Sequence, residues 1–521
     1  MTATCAPDTG GIAPGEPAKP LPGAEQRVIA PRELPEQAAE LLAAGFRVAL
    51  AAGHEDHEAA GRSRLRAVYL FTAARPDRRV ELHVPLGRGR PAVPSLAGLS
   101  FPAGRFEREM HDLYGIVPED HPLPTRLVRH FHWPKGWHPM LSDAGEPPDF
   151  GEVDGPYPFR TVEGPGVYEI PVGPVHAGMI GPGHFRFSVV GETILNLKAR
   201  LWFTHRGVEK LFACRAPAAG VELAERVSGD TAVGHALAFC LAVEDALGIA
   251  VPGDGYLIRA LLLELERLYN HVADIGMLCN DVGHSILNIH AGRIRERLLR
   301  VNDAVTGHRL LRGAVFPGGA AVLALPDPAE LAAVGADIAE VAALALGHSV
   351  VLDRFTGTAV LSAEQAAGLG TLGCVARASG LRADARHDHP LPGVTMARTA
   401  YSHTEGDVLS RFIVRVEEAA ASVRDITELL ARLNGQRGTA SAGDLPAPDG
   451  PRSGVGLAEG WRGTIAHRVE VDGAGTLTRV KIADPSFFNW PALPVALAAT
   501  IVPDFPLVNK SFNLSYAGND L

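Results

Sequence analysis

Histidine, arginine and acidic side chains are concentrated between residues 173 and 244, in sequence rich in Gly and Pro. The first part, GPVHAGMIGPGHFRF, carries His176, His184 and Arg186, and the second, HRGVEKL, adds His205 and Glu209. Turns fix the backbone in such sequence, so these side chains could converge as ligands or proton donors. Each also has a structural alternative: the first two histidines could pack within turns, and His205 and Glu209 could belong to a buried polar network.

The third part of this stretch carries Arg226, Asp230 and His235 and runs into an apolar helix predicted over Thr231 to Gly248. Asp230 is well placed to be the N-cap of that helix, and Gly248 is well placed to end it. Asp230 could instead be a titrating carboxylate that feeds protons to a redox or transport step. The sequence leaves both roles open.

The composition excludes several classes of protein. A formal charge of -10 argues against a nucleic-acid-binding protein with a broad basic face. Five scattered cysteines without metal-ligand spacing fit a reducing cytoplasm better than a disulfide framework. The sequence has no signal-peptide pattern, no apolar run of ~20 residues and no dinucleotide-binding Gly motif. We therefore expect no direct membrane span, and a membrane association only through partner subunits.

The hydrophobic periodicity predicts an α+β protein with two domains. We expect a disordered tail over residues 1–25, a small α+β domain over 26–141, a linker over 142–163, and a mostly α-helical domain with short β pieces over 164–521. The most strongly patterned helix is expected at Gly255 to Met277, and late strands are expected at Gly463 to Val471 and Leu477 to Ile482.

The first domain carries a motif that resembles a known family. Its run EREMHDLYGIVPEDHPLPTRLVRHFHWPKGWHP resembles the C subunit of complex I, the NADH–quinone oxidoreductase. The same domain occurs in membrane-bound group 4 hydrogenases, where it is a docking domain that binds no cluster. The resemblance implies the same docking role here.

The second domain resembles the large subunit of group 4 [NiFe]-hydrogenases, with the formate hydrogenlyase type the most similar, and the related D subunit of complex I. The resemblance rests on GPVHAGMIGPGHFRF, HRGVEKL, the helix with Glu264, Glu266 and Arg267, and the final DPSFFNWP. The three helix residues are either coupling residues of this superfamily or local salt bridges on a helix surface. The paired motifs of the family imply that DPSFFNWP returns beside the stretch from Ser228 to Thr231.

The hydrogenase pattern holds nickel with four cysteines, in Arg-x-Cys-Gly-x-Cys-x-x-x-His and in Asp-Pro-Cys-x-x-Cys. The frame survives here in Arg226, Gly229, His235 and Asp484. The former ligand positions hold Ser228, Thr231, Ser486 and Asn489. Neutral hydroxyls and an amide do not replace soft thiolates. We therefore expect no metal in this site and no hydrogenase activity.

The resemblance to complex I implies electron transfer from an Fe–S cluster on a separate small subunit to a quinone or another small acceptor, beside antiporter-like membrane subunits. Such an assembly would lie on the cytoplasmic side of the cell membrane. Either His176 or His184 would match the histidine of that family that contacts the quinone head group, but its tyrosine, expected at or next to Gly229, is absent. The alternative is a non-catalytic structural subunit that links the hydrophilic and membrane arms.

Overall fold

The N-terminal part of the chain is a four-stranded sheet covered by helices. The computed structural model describes residues 23–58, 62–74, 76–87, 89–149, 157–176, 180–438 and 445–521, so most of the predicted tail and part of the predicted linker lie outside the described residues. The first sheet has the order β1-β4-β3-β2. The elements of this part are β1 (Glu25–Val28), α1 (Leu34–Ala43), β2 (Arg47–Glu58), β3 (Arg62–Ala73), β4 (Arg78–Pro85), β5 (Ala92–Pro94), α2 (Phe101–Tyr114) and β6 (Val117–Glu119).

The sheet and α2 share one buried core. Leu50, Tyr69, Phe71 and Leu82 are fully buried on the sheet, where β-branched and aromatic side chains pack well. Helix α2 begins where the Ser100 hydroxyl accepts from the Ala103 N–H, and it ends at a glycine with φ of 74°. The predicted α+β arrangement of the N-terminal part is confirmed.

The second part of the chain begins with a small antiparallel sheet and continues mostly as helices. After residues 157–163, which are irregular, the sheet has the order β7-β8-β9. Its first elements are β7 (Val167–Val172), β8 (His184–Val190), β9 (Thr193–Arg200), α3 (Val208–Leu211), α4 (Pro217–Ala224), α5 (Ala232–Leu247), α6 (Gly253–Asp281), α7 (Ser285–Thr306), β10 (Val315–Phe316) and β11 (Gly319–Ala320).

The rest of this part adds helices and a late three-stranded sheet of order β12-β13-β14. The elements are α8 (Pro328–Leu346), α9 (Ser349–Phe355), α10 (Ala363–Leu369), α11 (Gly373–Ala378), α12 (Ala385–Asp388), α13 (Val408–Leu433), β12 (Arg452–Gly460), β13 (Gly463–Val471), β14 (Leu477–Ala483), α14 (Pro485–Asn489), α15 (Ala492–Ala496), α16 (Phe505–Phe512) and α17 (Tyr516–Asp520). Among the described residues, no helix is both long enough and apolar enough to cross a bilayer.

Helix α5 lies directly against the late sheet because two glycines on β12 allow a close approach. A Cβ atom at Gly456 would lie 1.9 Å from the carbonyl oxygen of Ala238, and one at Gly454 would lie 2.2 Å from that of Ala242. Helix α6, predicted over a slightly shorter span, packs beside α7 and α13. The residues Glu264, Glu266 and Arg267 on α6 are fully buried, so of the two alternatives for them the helix surface was wrong.

Buried ion pairs join the two parts of the chain. Arg468 on β13 donates to both carboxylate oxygens of Glu81 on β4, at 2.8 and 3.1 Å. The Lys481 ammonium on β14 donates to Glu109 of α2 at 2.7 Å and to Glu209 at 3.0 Å. The late sheet therefore contacts the N-terminal part on one side and α5 on the other.

Candidate functional site

The turn between β12 and β13 meets the segment that precedes α5. Arg462 in this turn donates from both terminal nitrogens to the two oxygens of Asp230, each at 2.7 Å. The hydroxyls of Thr231 and Ser228 donate to the same carboxylate, at 3.0 and 3.1 Å. The guanidinium stacks on the ring of Trp461, 3.9 Å from its centroid. The site therefore contains a bidentate guanidinium–carboxylate ion pair.

Asp230 holds a negative charge at neutral pH. Desolvation raises the pKa of its carboxyl, but the charge of Arg462 and the hydrogen bonds from Arg462, Thr231 and Ser228 outweigh that effect and lower this pKa to about 2. The side chain nevertheless remains 38% exposed, whereas that of Arg462 is buried. A partly exposed anion held by a buried cation is suited to orienting a bound molecule.

The prediction that Asp230 is the N-cap of α5 was wrong. Thr231 occupies the N-cap position and makes no side-chain capping bond. Instead, the buried carboxyl of Glu266 on α6 accepts from the N–H groups of Val233 at 2.7 Å and Gly234 at 2.9 Å. These are the N–H groups that an N-cap side chain ordinarily satisfies. A side chain from a neighbouring helix therefore caps α5, and Asp230 is left to bind Arg462.

The four former ligand positions lie together and are hydrogen-bonded to protein atoms. The Ser228 hydroxyl bonds that of Ser515 at 2.9 Å, and the Ser486 hydroxyl accepts from the backbone N–H of Ser515 at 3.0 Å. Asn489 accepts from the N–H of Leu372 and donates to its carbonyl. Thr231 accepts from Trp461 at 3.2 Å. The predicted return of DPSFFNWP to this stretch is confirmed, and the donors that it brings are hydroxyls and an amide rather than thiolates.

A buried row of three titratable groups lies behind the ion pair. Nε2 of His235 donates to Asp484 at 3.0 Å, and its Nδ1 lies 3.0 Å from Nε2 of His467. Burial, helped by the neighbouring His235 ring, lowers the pKa of His467 well below its usual value, so this ring is neutral. Burial raises the pKa of Asp484, but His235 and Arg462 outweigh it and lower that pKa. One proton therefore lies between the two rings.

Three other predicted residues lie away from the ion pair. Arg226 is partly exposed and pairs with Glu222 at 3.2 Å, so it does not reach Asp230. His205 donates from Nδ1 to the carbonyl of Asp520 at 2.7 Å. Burial raises the pKa of Glu209, but Arg479 and Lys481 outweigh it and lower this pKa to about 2. Glu209 is therefore a charged partner at the junction of the two parts of the chain.

The two histidines of the Gly-rich segment tie its backbone together. Nε2 of His176 contacts the carbonyl of Gly183 at 2.9 Å, and Nδ1 of His184 contacts that of Gly173 at 2.9 Å. The segment also packs on the Tyr516 ring, which a Cβ atom at Gly181 would meet at 2.5 Å. Tyr516 in turn lies 4.9 Å, between ring centroids, from Trp490 of DPSFFNWP. The segment thus borders the site through Tyr516.

Arg186 lies on the same sheet as His184 but faces other partners. Its guanidinium lies 4.4 Å from the centroid of the Phe159 ring, and it pairs with Glu169 at 3.6 Å. It therefore does not reach the ion pair at Asp230 through a direct contact.

Two clusters outside the site have metal-ligand residue types within reach of one another: His271, Cys374 and Glu418, and His54, Asp56 and Glu470. In the first, Glu418 already binds Arg267 at 2.5 Å and Arg377 at 2.6 Å, and burial raises the pKa of the Cys374 thiol to about 12. In the second, Arg66 binds both carboxylates. Guanidinium cations in both clusters oppose a metal ion.

The geometry can be set beside the known proteins that this chain resembles. Residues 28–147 match the model of the respiratory-chain NADH dehydrogenase 30 Kd subunit, residues 281–453 match that of its 49 Kd subunit, and residues 206–278 match the nickel-dependent hydrogenase model. Formate hydrogenlyase subunit 5 of Escherichia coli is 31% identical over 455 residues, which cover 85% of this chain and 79% of that protein. The chain belongs to the hydrogenase-related large subunits with a fused docking domain.

Other members of this superfamily extend the comparison. Hydrogenase-4 component G of Escherichia coli is 31% identical, over 80% of this chain and 73% of that protein. The C/D subunit of the NADH-quinone oxidoreductase of Bdellovibrio bacteriovorus is 24% identical, over 87% of both chains. The fold resembles a chain of the membrane-bound sulfane sulfur reductase, an archaeal respiratory membrane complex, with a TM-score of 0.61 and 23% identity over 68% of this chain and 98% of that one. These three proteins match between 68% and 87% of this chain.

Sequence reasoning missed Arg462, His467 and Ser515, three residues that complete the site. Arg462 and His467 come from a hairpin about 230 residues after Asp230 in the chain, and only the pairing of β12 with β13 places them there. A Trp-Arg-Gly turn between two apolar strands was the available signal for Arg462. Ser515 lies in the Pro-punctuated tail and carried no local signal.

Proposed function

We propose that this hydrogenase-related large subunit passes electrons from an Fe–S cluster on a partner subunit to a quinone or another small acceptor, without a Ni–Fe centre. The observation that carries the proposal is the bidentate pair of Arg462 and Asp230 beside the four former ligand positions. We further propose that a small Fe–S subunit and antiporter-like membrane subunits complete the assembly on the cytoplasmic face of the membrane.

The residues of the site fit the needs of an acceptor that gains negative charge on reduction. The buried guanidinium of Arg462 is a fixed cation, and a preorganised cation stabilises developing charge on a bound molecule. The partly exposed carboxylate of Asp230 keeps that cation in place. The hydroxyls of Ser228 and Thr231 join Asp230 to neighbouring groups and can hold or pass on a proton. The row formed by His235, Asp484 and His467 adds a buried proton behind them.

The Ni content and the quinone-analogue turnover of the intact assembly test this proposal. We expect sub-stoichiometric Ni by mass spectrometry and reduction of a water-soluble quinone analogue. Arg462→Gln is expected to lower that turnover about 100-fold, by the loss of one preorganised electrostatic contact. Arg309→Gln is the matched control, because Arg309 pairs with Glu296 at the exposed surface. Stoichiometric Ni, or full turnover by the Arg462 variant, would contradict the proposal.

The second candidate function is a structural subunit that links the hydrophilic and membrane arms. The observation that favours it is that the side chains at all four former ligand positions are buried and satisfied by protein atoms. An intact assembly that turns over no acceptor would support this function instead. The variant Asp230→Asn also helps to distinguish the two candidate functions. It removes the negative charge of the site pair but keeps the cap that Glu266 provides to α5.

A further inference from the structure

A cleft lies where residues 130–132, residues 157–159 and the β7-β8-β9 sheet meet. Its volume is about 290 Å³. The residues that line it include His130, Tyr157, Phe159, His184, Arg200 and Phe203. This volume is close to the lower end of ordinary small-molecule sites, which run from roughly 300 to 1,000 Å³. The cleft is therefore large enough for one or two fused rings.

Aromatic rings form the walls of the cleft. The Phe203 and His130 rings lie 4.5 Å apart between centroids, those of Tyr157 and Phe159 lie 4.6 Å apart, and those of Phe159 and His184 lie 5.5 Å apart. Phe203 is 39% exposed, so an apolar ring faces open space. These rings contact one another and so form a continuous aromatic wall, against which a planar ring can stack or lie edge to face.

Arg200 brings a buried cation to the cleft. Its side chain is 4% exposed, and among the described residues it forms no ion pair. Its guanidinium donates to the backbone carbonyls of Leu127 and Arg129 and lies 5.0 Å from the centroid of the Tyr157 ring, and its Nε has no partner in the described part of the chain. Burial lowers the pKa of this side chain to about 10, against the opposing charges of Asp112 and Asp520, so it is a cation at neutral pH. A buried cation that forms no ion pair is costly, and a bound anion would offset that cost.

Two of the histidines that line the cleft, His130 and His184, are bonded to backbone carbonyls. His130 donates from Nε2 to the carbonyl of Trp202 at 3.1 Å, and His184 donates from Nδ1 to that of Gly173 at 2.9 Å. Burial and the nearby Arg200 lower the pKa of His130 to about 4, so this ring is neutral above that pH. Arg186, which lies over the Phe159 ring, already pairs with Glu169. Arg200 is therefore a buried cation of this cleft that forms no ion pair among the described residues.

We propose that the cleft binds a small planar aromatic anion, with its ring against the aromatic wall and its carboxylate or similar group on Arg200. This inference goes beyond the proposed function and does not depend on it, because Arg200 and the ring walls are separate from Asp230 and Arg462. The ligand is defined by chemistry: an aromatic ring system of at most two rings that carries one negative charge.

Calorimetric titration of the intact purified assembly with 2-naphthoate tests the proposal. We expect saturable binding that weakens about tenfold or more with the neutral 2-naphthamide, since hydrogen bonds to a charged group contribute more than neutral ones. Cyclohexanecarboxylate should bind several-fold more weakly than benzoate, because it lacks the flat ring. Absence of saturable 2-naphthoate binding, or equal affinity for the acid and the amide, would overturn the proposal.

Two variants test whether 2-naphthoate binds in this cleft. Arg200→Gln should weaken 2-naphthoate binding about tenfold or more, and Phe159→Leu should weaken it several-fold. Phe159→Leu keeps the test decisive if the Arg200 variant fails to assemble, because Phe159 makes none of the backbone contacts of Arg200. Arg309→Gln, on the distant exposed pair with Glu296, should bind as the parent does. Binding that neither site variant weakens would place the ligand elsewhere and refute the assignment.

Discussion

One β-hairpin carries two guanidinium–carboxylate pairs that differ in burial and, we infer, in purpose. Arg462, in the turn, holds Asp230 through two bonds of 2.7 Å, and Arg468, on the following strand, holds Glu81 through bonds of 2.8 and 3.1 Å. Both members of the Arg468 pair are 1% exposed, whereas Asp230 is 38% exposed. The Arg468–Glu81 pair thus joins two parts of the chain, whereas the Arg462–Asp230 pair leaves a carboxylate that is partly exposed to solvent.

The interface pair should account for the larger share of stability. Arg468→Met leaves the buried carboxylates of Glu81 and Glu470 without their shared cation, and we expect a loss of about 3–5 kcal/mol. Urea unfolding of the purified chain, followed by tryptophan fluorescence, measures it. Arg300→Met, at an exposed i,i+4 pair with Glu296, is the control and should change stability by less than about 0.5 kcal/mol. A small effect of the Arg468 variant would refute the contrast.

Acid should weaken the interface pair in a defined window. Burial raises the pKa of Glu81, but Arg468 and His83 outweigh it and lower this pKa from 4.5 to about 2. A carboxyl with a lowered folded-state pKa stabilises the fold above pH 4.5 and loses that contribution as the pH falls towards 2, here about 3 kcal/mol. The pH dependence of unfolding should be shallower in Glu81→Gln over that range. Parallel profiles for the two proteins would contradict the assignment.

The cap that Glu266 provides should matter more to α5 than the site pair does. Glu266→Ala leaves the N–H groups of Val233 and Gly234 unsatisfied, and loss of such a cap costs about 1–2 kcal/mol. Hydrogen exchange at these two amides should accelerate, whereas Asp230→Asn should leave it unchanged. Faster exchange in the Asp230 variant would restore Asp230 as the cap.

The site pair should contribute least to stability. Arg462→Met leaves Asp230 where water can solvate it, so we expect a loss of about 1 kcal/mol or less. The same variant should still lose most of its turnover in the assembly. Urea unfolding beside the quinone-analogue assay separates the two quantities. A loss as large as that of Arg468→Met would show that both pairs are structural.

The features that the sequence predicted correctly are those set by local pattern. Apolar periodicity located α5 and α6, alternation located β13 and β14, and the shared motifs predicted that Ser486 and Asn489 would return beside Ser228. The partners of Asp230 could not be found in this way. Arg462 reaches it from a hairpin late in the chain, and Glu266 caps α5 from a neighbouring helix, so both contacts depend on tertiary packing rather than spacing.

The burial of charged side chains was the second property that the local sequence pattern did not predict. The sequence could not decide between a coupling role and a helix surface for the charges on α6, whereas α13 supplies Glu418 to Arg267 and thereby allows the charged face to be enclosed. Arg226 shows the opposite case, since Glu222 one turn earlier holds it at the surface.

The hairpin that bears both arginines also fixes a distance. Arg468 follows Arg462 by six residues, about 20 Å along an extended strand. This strand pairs with β12 from Gly463 onward and with β14 from Ala466 onward, and both pairings resist its bending. Strand β13 therefore helps to fix the distance between the β1-β4-β3-β2 sheet and α5. A partner that shifted the β1-β4-β3-β2 sheet along the axis of β13 would move Arg462 relative to Asp230 by a similar amount. The position of the Arg462 guanidinium therefore depends on that sheet.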